Sequence, residues 1–478
     1  MGSATDTTKP DIGKPEIGKV VVAADAGVED ARLALEELVR IPSISADEHR
    51  HTDVQHSADA TAAYLQACGL ENVHQATVPG CPPAVIGEWL HAEGAPTILL
   101  YAHHDVQPPG FIDHWTSNPF EPVERDGRLY GRGAADDKAG AVAHGAAVKA
   151  WLDTAGALPC NVKVFIEGEE EVGSPHLAAF LAEYADELRS DVLLLADAGN
   201  WGVGTPGLTY SLRGLASGDV TVRSLDGPVH SGIFGGPIPD PVQALAKSIA
   251  AMTDEHGDIA ISGFWDDVRT PSAHEQARLA ALPVDEAALR AAWGMRPGVE
   301  MTGDPSVSIF ERIWHRPSLA VLGFDSHPIE GSSNQIVAAA AARISVRVAP
   351  GQDPKRLLEL LAHHFETTVP WGLEVSFVAH ESVPAWSCEP EGWAFEAAER
   401  ALEAGFGRAP VLMGVGGTIP FVGPFAEAFG GIPALLLGPA DPHSHIHGEN
   451  ESLHLGDWRN LIVSEALLLA ELATHTAA

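Results

Sequence analysis

"DVLLLADAG", Asp191–Gly199, is an unbroken apolar run closed by the carboxylate of Asp197. Successive side chains on a strand face opposite sides, so this strand is apolar on both faces. Such burial belongs to a parallel sheet covered by helices. Two earlier runs read the same way: "PTILLYAHHD", Pro96–Asp105, and "NVKVFIEG", Asn161–Gly168. Helical patterns lie around and between them over Gly27–Val39, Ser57–Cys68, Asp137–Leu152 and His176–Leu188. The alternation predicts a doubly wound α/β fold with a mainly parallel sheet.

The middle of the chain has another texture. "GDVTVRS", "ARISVRVAP" and "LEVSFVAH" alternate like half-exposed strands, with helical segments over Pro241–Thr253 and Pro354–Phe365. Two helices on one face of a mainly antiparallel sheet, a smaller α+β (ferredoxin-like) domain, fit this part. Residues 255–315, rich in Trp, Pro and charge, read as an insertion. The first style returns after residue 390, with a helix over Gly392–Ala404, the strand "IPALLLGPA" and a last helix N-capped by Asp457. The expected organisation is a catalytic domain over 1–210 and 386–478, interrupted by an inserted domain over 211–385. At 478 residues, two domains suit the length.

The composition, 45% hydrophobic and 20% charged, is that of a globular protein. A formal net charge of -36 argues against a nucleic-acid partner, because phosphates call for Lys and Arg. No stretch reaches the roughly 18 apolar residues of a membrane helix. Cys68, Cys81, Cys160 and Cys388 are far apart and form no C-x-x-C, which suggests reduced thiols in a cytoplasmic protein. The N-terminal segment lacks a signal-peptide pattern, and the first 20 or so residues read as a flexible lead-in.

Chemistry-bearing residues gather where apolar strands run out, the place where open α/β sheets bind ligands. His103 and Asp105 in "YAHHDVQPP" are two apart and share a strand face. That spacing suits a ligating imidazole and a carboxylate holding its other nitrogen. "GRGAADDKAG" delivers Asp136 and Asp137 through a Gly-rich turn to a helix start; one could bridge two metals while the other caps the helix. In "VFIEGEEEVGS" four glutamates close a strand. Alone they read as a solvated acidic loop; as a working pair, Glu170 and Glu171 divide into a general base and a ligand. Asp197 is a lone carboxylate at the end of a Leu/Ala run, costly to bury without a partner. "DPHSHIHGENES" holds His443, His445, His447 and Glu451, among which spacing does not choose. Oxygen and imidazole donors without cysteine suit zinc, manganese or cobalt.

Together and in this order, these motifs resemble the dinuclear-zinc metallopeptidase family of carnosinase-type dipeptidases, aminoacylases and desuccinylases. "HHDVQPP", "GRGAADDK", "EGEEEVGS", "SLRGL", "HSGIFGG" and "VRVAPGQD" point to its long dipeptidase branch. The resemblance covers about residues 30–475 and implies an α/β catalytic domain with an inserted lid and dimerisation domain. It implies two zinc ions, Mn²⁺ or Co²⁺ being the alternatives. His103, Asp136 and Asp197 would hold one ion, and Asp136, Glu171 and His447 the other, with Asp136 as the bridge. Asp105 would orient His103, and Glu170 would be the general base of amide hydrolysis. Glu167 and Glu169 receive no metal role, and Glu169 stands where the family often has an uncharged residue. His230 would reach the partner subunit's site in a homodimer and stabilise the oxyanion. Asn334, Arg347, Gly417 and Thr418 would contact the substrate, Arg347 its carboxylate. The resemblance also implies a cis peptide bond between Asp136 and Asp137, rare outside proline. In "GVGGTIP", Gly414 replaces the Arg usual in close relatives, which changes how substrate is anchored. The expected substrate is a dipeptide; an N-acyl amino acid is the alternative.

Overall fold

In the computed structural model, which describes residues 14–475, the apolar runs form the core of a mixed sheet. Six of its nine strands are β1 (Glu71–Ala76), β2 (Ala84–Trp89), β3 (Thr97–His103), β4 (Asn161–Glu167), β5 (Val192–Leu195) and β6 (Ala434–Leu436). Their spatial order is β1–β2–β4–β3–β5–β6. β3, β4, β5 and β6 run parallel, while β1 and β2 are antiparallel additions at one edge. Ile98, Leu99, Val162, Val164, Leu193 and Leu194 are fully buried, so both faces are covered, as the continuous apolar runs require. The chain leaves β3 for β4 on one side and returns to β5 on the other. The crevice between β3 and β5 is therefore a switch point, and its strands end at His103 and just before Asp197.

Of helices α1 (Lys14–Ala26), α2 (Val28–Val39), α3 (His51–Ala67), α4 (Lys138–Ala155), α5 (Trp393–Phe406) and α6 (Leu455–Leu472), α3, α4 and α5 pack on these strands, and α1, α2 and α6 pack on α4. Two local expectations need correction. The lead-in becomes helix at Lys14: Val20 and Ala24, one turn apart, are buried as α1 packs on α4 and α6. Residues 1–13 lie outside the described part. Asp457 does not cap the last helix; the His454 ring accepts its amide at 3.1 Å. The Asp457 carboxylate instead accepts the Gly204 amide at 2.9 and 3.0 Å.

The chain divides into two compact units. The first comprises 1–210, 389–413 and 420–478, and the second 211–388 and 414–419. The second unit contains a four-stranded antiparallel sheet ordered Ser318–Asp325, Ala339–Val348, Gly214–Arg223, Glu374–Val383. Helices Pro241–Ala250 and Pro354–Thr368 pack on it, each started by an aspartate cap, Asp240 or Asp353, with proline in the first turn. Val220, Val222, Ile344, Val346, Leu245, Leu361 and Phe365 form its core. The 255–315 segment folds as short helices, among them Ala273–Ala281 with a Ser272–Glu275 capping box and Ile309–Trp314.

Candidate active site

The site grows out of the carboxyl ends of β3, β4 and β5. His103 ends β3 and is wholly buried, its Nδ1 3.1 Å from the Asp105 carbonyl and 3.4 Å from Asp105 Oδ1. The opposite nitrogen, Nε2, points to carboxylates: Asp136 Oδ1 at 3.0 Å, Asp197 Oδ1 at 3.9 Å and Glu170 Oε2 at 4.0 Å. The second oxygen of Asp136 lies 2.9 Å from His447 Nε2, which is 3.2 Å from Glu171 Oε2. Asp136 thus gives one oxygen to each of two histidines that come from distant segments.

Backbone shape delivers these groups. The Asp136–Asp137 peptide bond is cis, and Asp137 follows at the N-cap position of α4. Asp137 makes no side-chain capping bond; one oxygen accepts the His103 amide at 3.4 Å. Glu170 and Glu171 lie on a single 3₁₀ turn after β4. His447 has φ +61°, within a loop in which His445 also has positive φ. His443 and His445 are exposed, and the structure gives them no contact with the cluster.

The roles of three supporting residues, Glu451, Arg132 and Gln107, are not read from the sequence, although Glu451 is named in its cluster. Glu451, wholly buried, accepts from Arg132 Nη1 at 2.6 Å and from the amides of Gly133, Ala135 and Asp136 at 2.9–3.1 Å. Arg132 also donates to the Gly448 carbonyl at 3.1 Å, so one ion pair ties the Asp136 turn to the His447 loop. Gln107 donates to Glu171 Oε2 from its side chain at 2.9 Å and to Oε1 from its amide at 3.1 Å. Asp105 does more than orient a histidine: its two oxygens accept the Glu170 and Glu171 amides at 3.2 and 3.1 Å. Glu167 is buried and accepts the Tyr101 hydroxyl at 2.7 Å.

The electrostatics fit bound cations. Among the described residues, His103 and His447 are the basic side chains within 4.0 Å of Asp136, Glu170, Glu171 and Asp197. Burial, joined by repulsion from Asp197, Glu171 and Asp136, pushes the Glu170 carboxyl well above its usual range against the pull of His103. Burial likewise raises Asp197, with Asp136 and Asp137 adding to it. Burial would raise Asp136 as well, yet hydrogen bonds from His103 and His447 hold it below the usual carboxylate range. Asp136 and Glu171 press His447 up to about 11. A protein does not gather this much negative charge in a buried crevice without compensation. The donor atoms of His103, Asp136 and Glu171, and of His103, Asp137 and Asp197, lie within 4.8 Å of one another. The two groups have His103 in common, and the second includes Asp137 where the expected ligand is Asp136; the carboxylate placed for two divalent ions to share is Asp136, whose oxygens face His103 and His447.

The second unit carries the other expected residues. His230 is exposed; its Nδ1 accepts the Gly232 and Ile233 amides at 3.0 and 3.3 Å, which leaves Nε2 for other work. The strand pairing His230↔Gln335 brings Asn334 alongside, and the Asn334 carbonyl accepts the Ser231 amide at 2.9 Å. Half-buried Arg347 donates to Thr418 Oγ1 at 3.2 Å, and that hydroxyl donates to the Arg213 carbonyl at 2.6 Å. Gly417 adjoins Thr418 on this turn. Gly414 also finds its reason: a Cβ there would stand 2.7 Å from Cβ and Cγ of Trp314. The 255–315 insertion therefore fills the place where an Arg side chain would start.

An α/β scaffold carrying a carboxylate bridge between two histidines at its switch point defines a metal-dependent hydrolase. Residues 99–471 match Peptidase family M20/M25/M40, and the chain belongs to that family. It is 33% identical over 427 residues to the cysteinylglycine-S-conjugate dipeptidase of Corynebacterium striatum, covering 89% of this chain and 91% of that one. To a Cys-Gly metallodipeptidase of Schizosaccharomyces pombe it is 28% identical over 479 residues, covering 96% and 99%. The solved structure of the dipeptidase Dug1p from Saccharomyces cerevisiae superposes with a TM-score of 0.85 at 24% identity, covering 96% and 99% of the two chains, a likeness of fold.

Proposed function

We propose that this metal-dependent dipeptidase cleaves dipeptides with a free amino terminus, Cys-Gly and its S-substituted forms foremost, with Glu170 as the proton-transfer group. The observation that carries the reading is Asp136, one oxygen on each histidine, with Glu170 beside it in the same buried crevice. His103, Asp136, Asp197, Glu171 and His447 would hold two divalent ions, zinc foremost, which supply a Lewis acid and make water acidic enough to attack near neutral pH. Glu170 takes the proton of the attacking water and delivers it to the leaving amine. Asp105 fixes the Glu170–Glu171 backbone so that base and ligand keep their separate directions. His230 offers its free Nε2 to the developing oxyanion, across a homodimer, and Arg347 with Thr418 and Gly417 receives the substrate carboxylate while Asn334 lines the approach. The wide spacing of the four cysteines, with no C-x-x-C among them, supports a cytoplasmic location, and no helix among the described residues is long and apolar enough to cross a membrane.

The test is a paired panel with zinc-loaded protein: Cys-Gly, S-alkylated Cys-Gly and other dipeptides, each beside its N-acetylated form and the matching N-acetyl amino acid. Turnover confined to free amino termini supports the reading. Preference for acylated compounds replaces it with an N-acyl-amino-acid amidohydrolase.

A further inference from the structure

Glu169 belongs to the glutamate run but has no part in the site described above. Its side chain is 3% exposed, on the residue immediately before Glu170. The carboxylate accepts the His176 amide at 2.8 Å and lies 2.9 Å from His176 Nδ1. Cys81 reaches the same place from another segment, on a turn in which Gly80 takes φ +87° and the Cys81 amide bonds to the Val78 carbonyl at 3.1 Å. One donor atom from each of Cys81, Glu169 and His176 lies within 4.8 Å of the others. Among the described residues, His176 is the basic group paired with Glu169.

The Cys81 thiol hydrogen-bonds to Glu169, whose carboxylate the His176 ring also faces. Sulfur, imidazole and carboxylate converging from two segments are the donor set of zinc-like ions, softer than the donors Mg²⁺ or Ca²⁺ accept. Tetrahedral zinc, with bonds of about 2.0–2.3 Å, holds its donors roughly 3.3–3.8 Å apart. Donors within 4.8 Å of one another reach that cage by shifts of about 1 Å or less, the Glu169–His176 pair at 2.9 Å opening slightly. Burial, with Glu169 and Glu167 nearby, raises the Cys81 thiol far above its ordinary range, and a bound cation would supply the charge that turns it to thiolate.

We propose that Cys81, Glu169 and His176 form a third metal site, separate from the dinuclear centre, which takes a zinc-like divalent ion and leaves a fourth position to water. Such an ion would tie the loop carrying Glu170 and Glu171 to the turn that precedes β2.

The dinuclear donors include no sulfur, so cobalt distinguishes the two places. Metal-depleted protein is titrated with Co²⁺ while bound metal is counted and near-ultraviolet absorption followed. Three equivalents should bind, with a thiolate-to-cobalt charge-transfer band. Cys81→Ser and His176→Ala should each bind two, lose the band and keep dipeptide hydrolysis. Wild-type protein showing no such band with excess Co²⁺ would overturn the proposal. A band that survives in Cys81→Ser would overturn it too, because the sulfur would then come from Cys68, Cys160 or Cys388.

Discussion

Replacing Glu451 by Gln should destabilise the first unit and loosen the metal centre without touching a proposed ligand. Glu451 and Arg132 are 0% and 1% exposed at the side chain and lie 2.6 Å apart. Burial raises the Glu451 carboxyl above its usual range even with Arg132 and two of the amides opposing that shift. Burying such a pair gains little over an apolar one, and the large cost lies in breaking it. Removing one partner of a buried pair costs about 3–5 kcal/mol, because a charge stays behind without compensation. Glu451→Gln strands the Arg132 guanidinium, and the new NH₂ faces donors in either orientation: the Arg132 guanidinium and the Gly133 amide, or the amides of Ala135 and Asp136. Arg132→Met strands the carboxylate instead. The double variant keeps one amide oxygen for the turn and leaves no buried charge, so its cost should fall at least about 2 kcal/mol short of the sum of the singles. Denaturant unfolding of the four proteins gives the cycle, and metal content after dialysis reports on Asp136. Additive losses, or a single variant with wild-type stability and metal content, would refute the reasoning.

Asp105→Asn leaves one oxygen for two amides, so kcat/KM should fall about 10–100-fold with the fold intact, read by steady-state kinetics and circular dichroism. His144→Ala leaves Glu465, 2.7 Å away and 1% exposed, buried alone, and should lower unfolding stability by roughly 3–5 kcal/mol. Burial works against the His144 cation, but Glu465 outweighs it and the pKa is raised. That stabilisation is fully present below the unfolded value of about 6.5 and is lost as pH rises through the folded pKa. The gap between wild type and variant should be widest near pH 6 and narrow in alkali. Gly414→Arg drives a Cβ into Trp314 and should cost at least about 1–3 kcal/mol, with Trp314→Ala in the same chain restoring part of the loss in thermal unfolding.

Residues at strand ends were legible because the apolar pattern itself stops at them: β3 at His103, β4 at Glu167, β5 just before Asp197. The second unit was legible from alternation and from the Asp-Pro starts of its two helices. Hydrogen-bond partners were not. Glu451 lies 319 positions from Arg132, and in the sequence it is one carboxylate among histidines. Gln107 stood inside a quoted motif, yet its residue type carries no signal for bracing a glutamate. His454 and Asp457 can both cap a helix, and a distant amide, that of Gly204, decides between them. α1 went unread because two buried residues, Val20 and Ala24, suffice to hold it. Gly414 looked like a missing arginine; packing against Trp314 makes it a consequence of the insertion.

Glu170→Gln tests the central claim most directly. Dipeptide hydrolysis and bound metal are measured together in wild type and variant. The account predicts two ions per dinuclear centre in both and a fall in kcat of at least about 10²–10⁴-fold in the variant. Near-wild-type turnover with both ions retained would contradict it.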